Sequence, residues 1–424
     1  MPSPVAPRLT TLLEPLAGGP LPVHLVAWDG STAGADPRSH PTVRLTTPQA
    51  LRRLLWAPGE LGAAQAFVTG EVVVEGELGT ALTQVRDELA RRAPRPTPAQ
   101  RARAVAGLGL LAKDLGLIGR PPAPPASQAV VRGRLHSLTR DRAAISHHYD
   151  LSNDFYELVL DAQMAYSCAY VTADGADLLR GREDAAYTLE QAQSDKLELV
   201  CRKLGLHTRR EQRLADVGCG WGSLTLHAAR EHGARVTAVT ISREQQAFVH
   251  ARAGEQGVGD LVDVRLQDYR EVPESGFDAV ASIEMGEHVG DRNYPTYAAT
   301  LHRLAAPGAP VLVQQISRPG RNPGGGPFIE SFIAPDMSMR PVGATVQLLE
   351  RAGLELRGVE ALREHYVWTI RSWEERLRRR REDVVDLVGE EVTRVWELYL
   401  AGAAWTFAAG RMGVDQLVLR RPEG

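Results

Sequence analysis

The chain has 424 residues, enough for about two or three domains, and its 49 lysines and arginines nearly balance 52 aspartates and glutamates, for a formal net charge of −3. So small a charge argues against a nucleic-acid partner, and the three cysteines, Cys168, Cys201 and Cys219, are too few for a disulfide framework and are typical of a reducing cytosol. Because no apolar run approaches the roughly 18 residues needed to cross a bilayer, and the first residues lack a signal-peptide pattern, we expect a cytoplasmic protein.

Residues 1–92 are predicted to form a small N-terminal α+β domain. The segments VHLVAWDGS and PTVRLTT have the composition of short strands around turns, a helix is expected from Thr47 through ALRRLLW, and FVTGEVVVEGEL is expected to be extended. No catalytic constellation is visible here. A lipid- or partner-binding role is the expectation for this domain.

Residues 93–130 are predicted to be a linker rich in proline and arginine. RRAPRPTPAQRARA and GRPPAPPASQ flank a short helical stretch near Val105–Leu117. Proline at this density is typical of an exposed, semi-rigid connector. The domain boundary is therefore placed here.

Residues 131–424 are predicted to form one larger α/β domain. Helical and extended segments alternate through its centre, with a helix at Ala186–Leu204 and further helices starting at Gly222, Arg243 and Asn293. The intervening strands are expected at RLADVG, RVTAVTIS, VDVRLQD, FDAVASIE and PVLVQQI. This alternation indicates a parallel sheet flanked by helices.

The strongest local signal is the glycine-rich segment that follows the strand RLADVG. It has an acidic residue two positions before the first glycine and then the pattern GxGxG, and its predicted cofactor-binding residues are Asp216, Gly218, Cys219, Gly220 and Gly222. Glycine permits a sharp turn and close ligand approach, and the following helix start offers free N–H groups. The spacing is neither that of a P-loop nor the GxGxxG of dinucleotide sites. It resembles the first motif of class I S-adenosylmethionine (SAM)-dependent methyltransferases, with a ligand-free glycine turn as the alternative.

Two later strand ends extend the predicted cofactor site. Thr240 and Gln245 follow the next strand and can donate hydrogen bonds, although no acid stands at its tip to hold a ribose. Gln267, Asp268 and Tyr269 end the strand after that, where an adenine would lie. Loops at the carboxyl ends of the strands form the expected binding edge of such a sheet.

From about residue 147 to the C-terminus the chain resembles the cyclopropane-fatty-acyl-phospholipid synthase family. The matching segments, in order, are HYDLSNDFY (148–156), AYSCAY (165–170), VGCGWGSL (217–224), VTISREQQ (239–246), LQDYR (266–270), EMGEHVG (284–290) and EHY (364–366). The resemblance implies a class I SAM-dependent methyltransferase (Rossmann-like) sheet with a helical cap over an acyl pocket. It also implies methyl transfer from SAM to a cis double bond, with a carbocation on the acyl chain and a base, thought to be bicarbonate, that removes a proton.

The resemblance also assigns roles to individual residues. Tyr166 and Ser167 match positions near the cofactor. The residues matched to the surroundings of the bicarbonate are Cys168, Glu287, Tyr366 and the backbone of Ile316. Glu287 makes chemical sense by itself, because a carboxylate stabilises a developing cation, with an acid at a helix N-terminus as the alternative. Cys168 can equally be a small buried hydrophobe. No metal site is predicted.

Two departures bear on the reaction. Gln314 stands where cyclopropane synthases have a histidine beside the bicarbonate, and Ala403 stands where some members have a cysteine. The C-terminal segments VWELYLAG and GRMGVDQ resemble the actinobacterial branch that makes 10-methylene- and 10-methyl-branched fatty acids, in which a separate reductase acts on the methylene product. The expected product is therefore a methylene-branched acyl chain. Cyclopropane formation, methylation of a non-lipid small molecule and a non-catalytic lipid-binding protein are the alternatives.

The remaining expectations concern location and partners. Phospholipid acyl chains at the inner face of the membrane are the expected substrate, which makes the enzyme peripheral, and a homodimer is left open. The stretch at 374–381 contains five arginines, which either bind lipid headgroups or form a solvated helix face, since acidic residues surround them.

Overall fold

The computed structural model describes residues 4–92, 96–129, 152–320 and 324–423. The chain divides into two compact units, the first formed by Met1–Gln128 and Arg381–Trp405 and the second by Ala129–Arg380 and Thr406–Gly424. This division differs from the predicted one, in which residues 93–130 were a linker and everything beyond residue 131 one domain.

The first unit contains a four-stranded sheet in the order β2-β1-β3-β4, in which only the β1–β3 pair is parallel. Its elements are α1 (Val5–Ala17), β1 (His24–Val26), β2 (Thr32–Gly34), β3 (Thr42–Leu45), α2 (Gln49–Trp56), α3 (Glu60–Val68), β4 (Val72–Glu75), α4 (Leu78–Arg91) and α5 (Pro98–Asp114). The predicted helix after Thr47 is confirmed as α2. The segment expected to be extended from Phe67 is only partly so, since α3 continues to Val68.

The linker prediction is wrong for most of its length because α5 is part of a core. Thr97 and Gln100 close a capping box at its start, with Pro98 in the first turn, where its missing N–H costs nothing. Leu111 and Ala112 are buried in the hydrophobic core of the first unit. The prolines therefore flank a packed helix.

A C-terminal segment also belongs to the first unit. The helical segment α14 (Arg381–Ala408) is interrupted at Gly389, where φ is 81°. Within the unit, Arg394 lies over the ring of Phe67 at 5.9 Å, and Arg86 lies over the ring of Trp405 at 5.1 Å. These long-range contacts have no local sequence signature, which is why the boundary prediction missed them.

The second unit is built on a seven-stranded sheet in the order β10-β11-β9-β8-β5-β6-β7. Its elements are α6 (Asn153–Val159), α7 (Leu189–Lys203), β5 (Arg213–Val217), α8 (Ser223–His232), β6 (Arg235–Thr240), α9 (Arg243–Glu255), β7 (Val262–Leu266), β8 (Ala279–Ile283), α10 (Tyr294–Leu304), β9 (Pro310–Ser317), α11 (Pro327–Phe332), α12 (Val342–Arg351), β10 (Glu355–Ala361), α13 (Arg363–Arg379) and β11 (Gly413–Arg420). Strands β5 to β9 are parallel, and β11 is antiparallel to both of its neighbours. The predicted parallel sheet is confirmed strand by strand.

Two hydrophobic clusters pack against this sheet. One contains side chains of α10 and α12, and the other contains side chains of α7 and α8. Strands buried on both faces are typical of a parallel sheet, and β8 is buried at four of its five positions. The carboxyl ends of β5, β6, β7 and β8 therefore lie together at one edge, where ligands bind in such sheets. Within the described residues, no helix has the length and apolar character to cross a membrane.

Candidate active site

A cavity opens at the carboxyl ends of β5 to β8 in the second unit. It is lined by eleven of the twelve predicted cofactor-binding residues, namely Tyr166, Ser167, Asp216, Gly218, Cys219, Gly220, Thr240, Gln245, Gln267, Asp268 and Tyr269. Gly222 is the exception. The structure thus brings together side chains that the sequence spreads over about a hundred positions.

The glycine loop between β5 and α8 shapes the floor of the cavity. Gly218, Gly220 and Gly222 have φ values of 83°, 55° and 78°, a region that L side chains rarely adopt. A Cβ added to Gly220 would meet nothing within 4 Å, so open space adjoins the backbone there. A Cβ on Gly222 would lie 2.7 Å from the side chain of Val249. Gly220 therefore allows a ligand to approach, whereas Gly222 allows α8 to pack closely against α9.

Asp216 places a carboxyl group beneath this loop. It is only 2% exposed and accepts a hydrogen bond of 2.7 Å from Thr225 Oγ1, and burial raises its pKa to about 6. The open space at Gly220 and the polar groups around it fit the amino-acid end of SAM. When bound, SAM supplies an electrophilic methyl group.

The side chains at the carboxyl ends of β6 and β7 are held in place by hydrogen bonds and an ion pair within the protein. Thr240 Oγ1 donates to Gln245 Oε1 at 2.7 Å, and the side chain of Asp268 pairs with Arg270 at 2.7 Å. Gln267 donates its amide N–H to the carbonyl of Glu271 at 3.0 Å. Their positions on the cavity wall are therefore held by the protein itself.

Lys196 is a cavity residue that the sequence reasoning missed. It lies on α7, is 1% exposed, and its Nζ donates to Ser167 Oγ at 2.9 Å. Burial lowers its pKa, while the charges of Glu284, Asp161 and Asp216 act in the opposite direction. Its helical spacing from the buried Leu189 was the available signal, since a lysine within an apolar stripe is rarely buried without a partner.

Glu284 is the second cavity residue that was not predicted from the sequence, and its carboxylate accepts hydrogen bonds from three other residues of the site. It follows β8 directly and lines the cavity. Its Oε1 accepts hydrogen bonds from the backbone N–H of Cys168 at 2.8 Å and from Gln314 Nε2 at 2.7 Å, and its Oε2 accepts one from the hydroxyl of Tyr366 at 2.8 Å. The available signal was a carboxylate at the carboxyl end of a central strand, in the same segment as Glu287.

These three donors belong to residues that the resemblance places around a bicarbonate ion. In this chain they are all directed at the Glu284 carboxylate. The backbone N–H of Ile316, also expected at the bicarbonate, hydrogen-bonds to the carboxyl group of Glu287 instead. The predicted group does come together, but the described residues do not fit a bicarbonate, because protein carboxylates already accept the hydrogen bonds it would need.

Further hydrogen bonds hold the side-chain amide of Gln314 in one orientation. It is fully buried on β9, and its Oε1 accepts a hydrogen bond of 2.9 Å from Gln416 Nε2. The Oε1 of Gln416 accepts in turn from Lys203 Nζ at 2.6 Å. The amide nitrogen of Gln314 must therefore face Glu284, and a neutral donor stays at this position at every pH.

Glu287 and Cys168 lie behind the cavity wall. Glu287 is 1% exposed, and burial together with the charge of Glu284 raises its pKa to about 8. Burial also raises the pKa of Glu284, but its three hydrogen bonds act in the opposite direction and favour the negative charge on Glu284 over Glu287. Burial raises the pKa of the fully buried Cys168 thiol, so that residue contributes its backbone N–H and no thiolate.

Aromatic rings continue the wall beyond the glycine loop. The ring of Tyr156 lies 4.4 Å from that of Trp221 and 5.8 Å from that of Tyr166, and Tyr166 lies 5.4 Å from Trp373. Trp221 Nε1 donates to Asn153 Oδ1 at 2.9 Å. Residues 148–151 of the HYDLSNDFY segment lie outside the described residues. Ring faces of this kind stabilise a nearby positive charge.

The arginine-rich stretch at 374–381 is largely neutralised. Arg376 pairs with Glu183 at 2.7 Å and with Glu190 at 2.8 Å, and Arg378 and Arg379 both pair with Glu375 at 2.7 Å. Arg381 pairs with two glutamates within the first unit. These ion pairs favour the solvated-helix interpretation over headgroup binding.

Comparisons with known proteins agree with this geometry. The model of the mycolic acid cyclopropane synthetase family matches residues 136–417. A probable fatty acid methyltransferase of Mycobacterium tuberculosis is 37% identical over 95% of this chain and 92% of its own, and the tuberculostearic acid methyltransferase UfaA1 of that organism is 34% identical over 95% and 88%. The solved structure of the mycolic acid cyclopropane synthase CmaA1 complexed with SAH and CTAB covers 66% of this chain and 98% of its own, with 28% identity and a TM-score of 0.59. The chain therefore belongs to the mycolic acid cyclopropane synthetase family and is a SAM-dependent methyltransferase.

Proposed function

We propose that the enzyme transfers the methyl group of SAM to the cis double bond of an oleoyl-type phospholipid acyl chain and releases a 10-methylene-branched chain. The observation that carries this proposal is the neutral, fully buried Gln314, whose amide nitrogen is held on the Glu284 carboxylate. Similarity to a tuberculostearic acid methyltransferase over 95% of the chain supports the same branch.

The proposed reaction has three steps on the acyl chain. The π electrons of the double bond attack the methyl carbon, the methyl–sulfur bond breaks with its electron pair going to sulfur, and a cation forms on the neighbouring carbon. A hydride then moves from the methyl-bearing carbon to that cation. Finally a C–H bond of the new methyl group breaks, its electrons form the exocyclic double bond, and a base takes the proton.

Cyclopropane formation differs only in omitting the hydride shift. The base then removes the methyl proton from the first cation, and the C–H electrons close a ring. A carboxylate that accepts three hydrogen bonds is a weaker base than one that accepts fewer. Slower proton removal leaves time for the hydride shift, which supports the methylene product.

The site chemistry also supports an acyl chain as the substrate. Beside the polar groups that line it, the cavity presents the rings of Tyr166 and Trp221, which tolerate hydrocarbon and stabilise a cation. The substrate lies in a bilayer, so we infer that the enzyme works peripherally at the cytoplasmic membrane surface and that a separate reductase consumes its product.

The test is incubation of the purified enzyme with SAM and dioleoyl phospholipid vesicles, followed by NMR of the extracted lipid. Olefinic methylene protons are expected, and ring methylene protons at high field would show that cyclopropane formation is the true activity. The two products have equal mass, so mass spectrometry without position-sensitive fragmentation does not separate them. Methyl label from SAM that appears only in a non-lipid fraction would overturn the lipid assignment.

A further inference from the structure

Four hydrogen-bond donors matched to a bicarbonate site already donate to carboxyl groups of the protein itself. Cys168, Gln314 and Tyr366 donate to Glu284 over 2.7–2.8 Å, and Ile316 donates to Glu287. An anion placed among these donors would have to displace a charge-assisted hydrogen bond and sit beside a like charge.

The backbone at Glu284 is also specialised. Its φ of 50° lies in the left-handed region, which is unfavourable for a non-glycine residue, and its N–H donates to the carbonyl of Gln314 at 2.7 Å. Strain of this kind persists where the surroundings over-determine a residue, as at catalytic sites. The strained turn directs the carboxylate into the cavity that also holds the glycine loop.

We propose that the Glu284 carboxylate is the base of this enzyme and stands in place of bicarbonate. This inference rests on the proposed function, because it needs a carbocation on the acyl chain. The C–H bond of the new methyl group breaks, its electron pair forms the carbon–carbon bond of the product, and the proton goes to an Oε atom of Glu284. The proton leaves to water after the product departs, and no co-reactant is consumed.

The first experiment measures bicarbonate dependence. Wild-type turnover in buffer stripped of CO2 is expected to equal turnover with added bicarbonate. Wild-type protein should also leave the ¹³C NMR line of labelled bicarbonate unbroadened, a readout that needs no catalysis.

The matched variant is Glu284→Gly. Glycine accepts the φ of 50° without strain and frees the three donors for an external anion. Turnover is expected to fall at least about a hundredfold without bicarbonate, the scale for loss of a general base, and to recover when bicarbonate is added. Broadening of the labelled bicarbonate line should appear in this variant.

A second variant guards against misfolding. Glu284→Gln keeps the side-chain shape, should bind SAM like the wild type, and should lose turnover without rescue by bicarbonate, because the side chain still fills the site. Glu350→Gln, on the exposed side of α12, is the control and should match wild-type turnover.

The outcomes separate the two proposals. A wild-type enzyme that makes the methylene lipid only with bicarbonate, or a Glu284→Gln variant with wild-type turnover, overturns the assignment of Glu284 and leaves the proposed function standing. A wild-type enzyme that modifies no lipid in either buffer overturns the proposed function itself.

Discussion

Removing the hydroxyl of Tyr366 should shift the pH dependence of turnover. Tyr366→Phe deletes one of the three hydrogen bonds to Glu284, the 2.8 Å bond to Oε2, and leaves the ring beside Phe407 and Trp373 at 4.7 and 6.0 Å. A hydrogen bond to a charged group contributes about 1.5–3 kcal/mol, and one pKa unit corresponds to about 1.4 kcal/mol. Because the bond stabilises only the ionised form, its loss raises the pKa of Glu284.

The assay is kcat/KM with vesicle substrate across pH 5–9 or so, a window set by the ordinary carboxyl pKa and its increase on burial. The acid limb, below which Glu284 is protonated and inactive, should move to higher pH by about one to two units, with a smaller change on the alkaline plateau. Tyr399→Phe, in the first unit, is the control. An unmoved acid limb in Tyr366→Phe, or a uniform loss at all pH values, would refute the reasoning that this hydroxyl acts through the ionisation of Glu284.

Three further predictions follow from the same geometry. Gly220→Val should abolish SAM binding in calorimetry while circular dichroism stays unchanged, because φ is 55° and a side chain there would enter the cavity; a folded variant with normal affinity would remove the glycine loop from the cofactor site. Burial raises the pKa of Glu287 from 4.5 to about 8, so between these pH values the folded chain keeps a proton that the unfolded chain has lost. The stability of the wild type should therefore fall as pH rises from 4.5 through 8. In thermal melts Glu287→Gln should flatten this decline, and it should lower turnover less than Glu284→Gln does. Gln314→His should raise the cyclopropane fraction of the lipid seen by NMR, since it alters the hydrogen bond that holds Glu284; an unchanged ratio would mean that the shape of the acyl pocket controls the partition.

The aromatic rings of the cavity and the two carboxyl groups Glu284 and Glu287 have different expected roles in the reaction. The raised pKa of Glu287 favours its neutral form, and the three hydrogen bonds to Glu284, three residues earlier, favour a negative charge there. A cation formed near the rings of Tyr166 and Trp221 would lie in the cavity that Glu284 lines. Both glutamates come from one short segment after β8, in which the sequence analysis singled out Glu287 and not Glu284.

The amino-acid sequence by itself determined the parallel sheet and the glycine loop. Short apolar strands, helix starts and glycines at a strand end are local signals, because each depends on residues within a few positions of one another. For that reason the strands β5 to β9 form as predicted, and nine of the residues predicted from the strand ends line one cavity.

Only the tertiary structure decided the domain division and the surroundings of Glu284. The donors to Glu284 from Cys168 and Tyr366 lie 116 and 82 positions away along the chain, and their convergence depends on how α13 and the segment before α7 pack near the sheet. The burial of α5 and the ion pairs of the arginine-rich stretch are likewise long-range effects. The proton affinity of a carboxylate depends on the hydrogen bonds and burial around it, and those surroundings exist only once the chain has folded.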